Sequence, residues 1–248
     1  MQIQGLQKVT VLDYPEKMAA TVFTAGCNFR CPYCHNASLV TRIDKANDIP
    51  VEQVMNHLKK RRKVLEGVCI SGGEPLLQSG LEDFIKEVKA LGYLVKLDTN
   101  GSNIEKLQRL VEQSLIDYVA MDIKNTPRKY GITSGLDYEG ITPLRLRKSS
   151  TAEERCEEWL AGVRATVDYL KSDVIPYEFR TTVVKEFHKR EDLEEIGEWL
   201  KGARKYYLQK FNDSGDCIGE GLHPYSDEIM KQALDIIKKV IPTAQIRD

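Results

Sequence analysis

Short apolar runs alternate with amphipathic stretches along most of this chain. Six runs rich in β-branched and other apolar residues stand out: Met18–Ala25, Gly67–Ser71, Leu94–Asp98, Tyr118–Ile123, Phe179–Val184 and Tyr206–Phe211. Between them, apolar residues recur at three- and four-residue spacing among charges, the period of a helix with one buried face. In Val51–Leu65, for example, Val54, Met55, Leu58 and Leu65 fall roughly on one side. Leu81–Leu91, Ile104–Leu115, Ala152–Leu170, Glu191–Leu200 and Asp227–Ile237 read the same way. Strands alternating with helices predict an α/β protein with a parallel sheet and helices packed outside it. The crossovers should be right-handed. Six strand–helix units fit a partial barrel or an open doubly wound sheet. A full eightfold barrel takes about 250 residues and would leave nothing for loops.

Two stretches break the alternation. Asn125–Ser150 follows the fourth run and is rich in Pro, Gly, Thr and basic residues. Asn212–Tyr225 follows the sixth and reads NDSGDCIGEGLHPY. Both follow C-terminal ends of predicted strands, where α/β proteins place binding loops. No linker divides the chain, so one domain over 1–248 is expected, with a core of about 18–211 and a C-terminal loop and helix in 212–248. The 248 residues carry 36 Lys+Arg against 37 Asp+Glu, a formal net charge of −1. That balance argues against a general nucleic-acid binder. No apolar window is long enough for a membrane span. No basic segment followed by an apolar run opens the chain, so a cytoplasmic protein is expected.

The six cysteines sharpen this picture, because three of them crowd into eight residues. Cys27-Asn28-Phe29-Arg30-Cys31-Pro32-Tyr33-Cys34 directly follows the first predicted strand. Such crowding is not a secreted disulfide framework. Thiolates are soft ligands for iron–sulfur clusters, zinc and copper(I). Three can hold three corners of a four-iron cube and leave the fourth iron without a local protein ligand, whereas ferredoxins supply a fourth cysteine. A structural zinc site with His35 as fourth ligand and three unrelated cysteines are the other readings.

Three more clusters end the next three strands. Gly72-Gly73-Glu74-Pro75 could be a plain turn, since Gly tolerates positive φ; without Cβ atoms it also lets backbone approach a ligand closely. Asp98-Thr99-Asn100-Gly101 could be an Asx turn capping the next helix, or a carboxylate and amide aimed at the top of the sheet. Met121-Asp122-Ile123-Lys124 could be a surface ion pair worth little. Arg180 lies in the fifth run, where a guanidinium suits a carboxylate geometrically.

The cysteine spacing, with an aromatic residue before the third cysteine, resembles the radical S-adenosylmethionine (SAM) superfamily. The resemblance implies a partial (β/α)6 TIM-like barrel and a [4Fe–4S] cluster held by Cys27, Cys31 and Cys34. It implies that SAM chelates the open iron and is split to methionine and a 5′-deoxyadenosyl radical. Tyr33 would then lie against the adenine. Gly72, Gly73, Glu74 and Pro75 match the family motif that contacts the SAM amino group. Asp98, Thr99 and Asn100 match a motif beside the SAM amino acid and ribose. Asp122 and Lys124 match one that supplies polar contacts to SAM, and Arg180 matches a ligand-contacting position. The Asp122 match also implies a monovalent-cation site near the SAM carboxylate, with Lys124, Asp98 and Thr99 as neighbours. The family's catalysis needs no acid–base pair from the protein, because the cofactor carries the hard chemistry.

Gly5-Leu6-Gln7, Leu12-Asp13-Tyr14-Pro15 and the Cys34-His35-Asn36 ending look like activating enzymes of glycyl radical enzymes, closest to the group that activates anaerobic ribonucleoside-triphosphate reductase. That implies hydrogen abstraction from a glycine of a partner enzyme, with flavodoxin or ferredoxin as electron donor. A radical SAM enzyme acting on a small molecule, such as 7-carboxy-7-deazaguanine synthase, would share the same motifs. One match fails: these activases place a ligand-contacting His after the sixth strand, and this chain reads Tyr207-Leu208-Gln209-Lys210-Phe211. Neither His188 nor His223 is assigned that role. His57 reads as a helix surface residue, Cys69 as core, Cys156 as incidental and Cys217 as an inert loop thiol. The basic run Arg145-Leu146-Arg147-Lys148 reads as a solvated loop, with contact to an acidic partner as the alternative.

Overall fold

The computed structural model describes residues 1–136, 152–213 and 215–247. The Arg145–Lys148 run and most of the loop expected after Asn125 lie outside the described residues. Among those described, the strands are β1 (Ile3–Thr10), β2 (Ala19–Thr24), β3 (Gly67–Gly72), β4 (Leu94–Thr99), β5 (Tyr118–Asp122), β6 (Tyr177–Val183), β7 (Tyr206–Lys210) and β8 (Gln245–Arg247). The helices are α1 (Ala37–Val40), α2 (Val51–Arg61), α3 (Leu81–Ala90), α4 (Ile104–Glu112), α5 (Tyr130–Ser134), α6 (Ala152–Lys171), α7 (Arg190–Trp199) and α8 (Asp227–Lys238). The strands form one sheet in chain order, β1 to β8. β1 runs antiparallel to β2. The pairs β2–β3, β3–β4, β6–β7 and β7–β8 are parallel. The mixed α/β class and the six predicted strands, β2 to β7, are therefore present.

The chain divides into two compact units. The first comprises Met1–Asn28, Ser38–Thr99 and Asn103–Ala120. Its central strands carry a largely buried apolar set: Ala20, Val22, Val68, Cys69, Ile70, Val95 and Leu97 are fully buried, while Lys96 and Asp98 occupy the alternate positions of β4. Parallel strands covered by helices read this way in sequence. α2 covers them with Val54, Met55 and Leu58, and α3 with Leu81, Phe84, Ile85 and Val88. Asn103 caps α4 by accepting from Lys106 N at 3.1 Å. That helix stops short of the predicted Leu115 because Ser114 turns left-handed, at φ 54°. β1 was not predicted. Only its ends, Ile3 and Thr10, are buried, so it has no alternating pattern. Pairing with β2 makes it a strand, as context often does.

The second unit comprises Phe29–Ala37, Asn100–Ser102 and Met121–Asp248. Phe179, Val183, Leu208, Val163, Val167, Ile196 and Ile237 form its apolar interior. Short β8, also missed by the sequence pattern, is tied down by charge. Arg247 grips fully buried Glu178 with two hydrogen bonds of 2.6 and 3.0 Å, and its guanidinium lies 3.7 Å over the Tyr207 ring.

Candidate functional site

In the first unit, the chain leaves β2 through Ala25, Gly26 and Cys27. The Gly-Gly pair after β3 packs directly on this exit. Gly72 sits at φ +113°, and a Cβ there would stand 2.4 Å from the Thr24 backbone. A Cβ on Gly73 would stand 2.0 Å from the Gly26 carbonyl oxygen. Gly73 N donates to Thr24 O at 2.9 Å, and Glu74 N donates to Gly26 O at 2.8 Å. The glycines thus allow close approach of backbone to backbone, at the turn that carries Cys27. Glu74 is fully buried and accepts from Leu76 N at 3.0 Å and Thr99 Oγ1 at 2.8 Å. It caps the short turn begun by Pro75, which is also buried. Thr99, at the end of β4, is thereby fixed against Glu74.

One face of β4 carries an ion pair that the motifs did not announce. Lys96 is 1% exposed and its ammonium pairs with Asp98. Ser71 Oγ donates to the other Asp98 oxygen at 3.1 Å, and Cys69 Sγ lies 3.6 Å from Asp98 and 3.8 Å from Lys96 Nζ. Cys69 is buried as expected, but its thiol faces this polar group.

In the second unit, Asn100 forms the Asx turn allowed by the sequence, accepting from Ser102 N at 3.0 Å. Helix α6 holds that turn: Thr166 Oγ1 donates to Gly101 O at 2.7 Å, and a Cβ on Gly162 would stand 2.4 Å from Ser102 O. Asp122, Lys124 and Arg180 form a second charged group. Asp122 accepts from Arg180 Nε at 2.8 Å and from Lys124 Nζ at 3.0 Å. Burial works to raise the Asp122 pKa, but the Arg180 and Lys124 charges and hydrogen bonds prevail and hold it down to about 2. Arg180 is therefore an ion-pairing group, 13% exposed.

The cysteine loop of this unit is anchored on α5. Arg30 N donates to Ser134 O at 2.8 Å, and Gly135, at φ +68°, leaves no room for a Cβ, which would stand 2.1 Å from Arg30 O. Phe29 packs edge-on against Tyr130, 6.3 Å between centroids, and lies 5.9 Å from Trp159. Tyr33 is buried, 6.0 Å from the Phe187 ring and 6.5 Å from His188, with its hydroxyl 3.5 Å from Lys124 O. Lys124 O also accepts from fully buried His188 Nε2 at 2.8 Å, while His188 Nδ1 accepts from Val184 N at 3.1 Å. With Nδ1 accepting, Nε2 must carry the proton, so the ring is neutral. Burial lowers its pKa. Nothing in the sequence around His188 marks it as part of this group. Its signal lies only in the register that brings the end of β6 beside Lys124. After β7, where the expected histidine is absent, the Phe211 ring lies tilted against His35 with centroids 5.5 Å apart. The loop that follows is hooked to the cysteine loop by Gly219 N, which donates to Pro32 O at 2.7 Å.

All six cysteines are free thiols. Cys27 and Cys34 are half-buried, and Cys31 is buried. Burial pushes the Cys31 thiol up to about 12 and raises Cys34 as well. Such thiols stay neutral until a metal's positive charge stabilises the thiolate. Among the described residues, no three His, Cys, Asp or Glu side chains converge as a single-ion site requires. A multi-iron cluster needs no such convergence, since each thiolate binds a different iron. Three thiolates are soft donors of the kind that hold an iron–sulfur cluster or zinc.

Comparison with known proteins agrees with this chemistry. A family model described as the Radical SAM superfamily matches residues 21–200. A Methanocaldococcus jannaschii protein, provisionally named a glycyl-radical enzyme activating enzyme, is 30% identical over 99% of this chain and 95% of its own length. The pyruvate formate-lyase-activating enzyme of Staphylococcus epidermidis is 32% identical over 50% of this chain; the match spans 53% of that enzyme. The crystal structure of Streptococcus suis SuiB bound to S-adenosylmethionine superposes with a TM-score of 0.65 at 12% identity, covering 91% of this chain and 49% of that one. At that identity the likeness establishes the fold alone. The chain belongs to the radical SAM superfamily and is an enzyme, with the partial-barrel fold of that class. Membership implies SAM and a [4Fe–4S] cluster. Among the described residues, no helix is long and apolar enough to cross a membrane.

Proposed function

We propose that this enzyme activates a glycyl radical enzyme, and that its partner is an anaerobic ribonucleotide reductase. The activase reading is carried by the M. jannaschii relative, similar over nearly the full length of both chains and named for activating a glycyl radical enzyme; the reductase partner rests on the sequence resemblance alone. The motifs around Cys27–Asn36 support the same branch. When bound, the cluster and SAM supply reductive cleavage of SAM and a 5′-deoxyadenosyl radical that takes hydrogen from a glycine Cα. Everything else falls to the chain's own residues. Cys27, Cys31 and Cys34 hold the cluster. Gly72, Gly73, Glu74, Pro75, Asp98, Thr99 and Asn100 hold the amino-acid and ribose parts of SAM. Asp122, Lys124 and Arg180 form a prearranged charged group for its polar end, and Tyr33 serves the adenine. Fixed charges of this kind need no reorganisation when the ligand arrives. Flavodoxin or ferredoxin delivers the electron, and the work is done in the cytoplasm.

Electron paramagnetic resonance tests the reading. The anaerobically reconstituted, reduced enzyme is mixed with SAM and a candidate reductase. A glycyl doublet on the reductase is the expected result, and Cys31→Ala should abolish both it and the four-iron absorbance. SAM cleavage without a doublet on any candidate partner would refute the activase assignment.

A further inference from the structure

Lys96 belongs to none of the ligand-binding motifs, yet it is the most deeply buried lysine the first unit presents. It lies on β4 two residues before Asp98, so both side chains leave the same face of the strand. Their charges are in direct contact. Ser71 Oγ, 3.1 Å away, takes the second Asp98 oxygen, and the Cys69 thiol closes the group from β3. We propose that the Lys96 ammonium is the built-in counter-cation of Asp98, standing where a dissociable monovalent ion would otherwise be needed, so that SAM binding by this enzyme is independent of added potassium or sodium. The inference rests on the reading of Asp98 as a SAM-side residue.

Three observations carry it. First, a buried ion pair is poor evidence of a stabilising role, because well-packed apolar residues often do as well or better. A lysine 1% exposed on a strand otherwise filled by Val95 and Leu97 therefore calls for another reason. Second, the pair is held by a strand and a hydroxyl, not by a loop, so the ammonium has a fixed place and full occupancy at any salt concentration. Third, the other carboxylate in the motifs linked to a cation is provided for in the same way. Within its own unit, Asp122 is held by Arg180 at 2.8 Å and Lys124 at 3.0 Å. Each acidic residue thus already has a protein cation. SAM brings a further carboxylate, and a positive charge near Asp98 is what lets a second negative group approach. Lys96 is a positioning residue, acting through Asp98.

The test is SAM affinity of the reconstituted enzyme, read by calorimetry and by the change SAM induces in the spectrum of the reduced cluster. Buffers contain choline chloride or, at equal ionic strength, potassium chloride. The wild type should bind SAM equally in both. Lys96→Met should bind about tenfold more weakly in choline, the scale of one charged hydrogen bond, and recover in potassium; a purely structural role would give no such recovery. Lys96→Arg should remain insensitive to the ion. If Lys96→Met does not fold, the double variant Lys96→Met/Asp98→Asn removes the stranded charge, and weakened affinity without a potassium response is expected of it. Strong potassium stimulation of the wild type, a folded Lys96→Met without potassium rescue, or a potassium response in the double variant would overturn the proposal. Failure of the wild type to bind SAM in any buffer would instead overturn the functional reading beneath it.

Discussion

Gly73 shows how a single missing Cβ can position a metal ligand. The Gly26 carbonyl oxygen lies where a Gly73 side chain would begin, at 2.0 Å, and that oxygen is one residue from Cys27. The backbone must shift to admit any side chain. Gly73→Ala should therefore cost about 1–3 kcal/mol or more, the range of overpacked sites, and should lower the thermal midpoint. It should also reduce iron bound per chain after reconstitution, because the displaced segment leads into Cys27. Normal iron loading in a destabilised Gly73→Ala would show that the contact serves only folding. The sequence made a close approach at this Gly-Gly pair legible, but not its target. A motif reading aims the glycines at a ligand, whereas the nearest atoms belong to the neighbouring strand end. Lys96 is the opposite case. In Leu94–Asp98 it reads as an ordinary polar alternation, and only the β3–β4 register, which pairs Cys69 with Lys96, reveals the buried group.

At the scale of elements, two small pieces do much of the holding. The five-residue helix α5 docks the cysteine loop of its unit through Ser134 and Gly135. Gly135→Ala combines a left-handed residue with a Cβ 2.1 Å from Arg30 O. Iron content should fall in this variant while far-UV circular dichroism stays near wild type; unchanged iron content would remove α5 from the assembly of the site. β8 works by charge instead. Arg247→Met leaves Glu178 fully buried without its guanidinium. Breaking such a pair costs about 3–5 kcal/mol. The low end is expected here, since Arg247 is 29% exposed. A urea midpoint within error of wild type would contradict this. The six strands β2 to β7 were legible because their buried positions leave short apolar runs, continuous in β2 and β3 and broken by polar residues in β4, β6 and β7. β8, three residues of mixed polarity, leaves no such trace. α5, at five residues, is also too short to show a period, and its worth lies in contacts with Arg30 and Phe29, some hundred positions earlier in the chain.

For the molecule as a whole, the formal charge of −1 means that general repulsion is small near neutrality. Particular buried groups should therefore set how stability changes with mild acid. His188 is the clearest. Burial lowers its pKa in the fold, against the pull of its hydrogen bond to the Lys124 carbonyl. Asp192 adds a pull in that direction too, and Lys129 opposes it. The unfolded chain takes up a proton near the ordinary histidine pKa of about 6.5, while the folded chain does not. Below that pH the unfolded state binds more protons, so stability must fall as pH falls. One such group contributes a slope of up to about 1.4 kcal/mol per pH unit until the folded pKa is reached. Asp122 acts in a separate, more acidic window. Its pKa of about 2 in the fold means that its contribution is complete above the ordinary carboxylate range and is lost as pH falls toward 2. The two windows can be separated by substitution. His188→Gln retains an amide N–H for the Lys124 carbonyl but cannot titrate. It should be less stable than wild type at pH 7.5, where the imidazole fits its cavity, and should lose less further stability by pH 5.5. Urea midpoints of both proteins across that interval are the measurement. Parallel pH profiles would show that the wild-type slope arises elsewhere and that the neutral ring is not what acid attacks first.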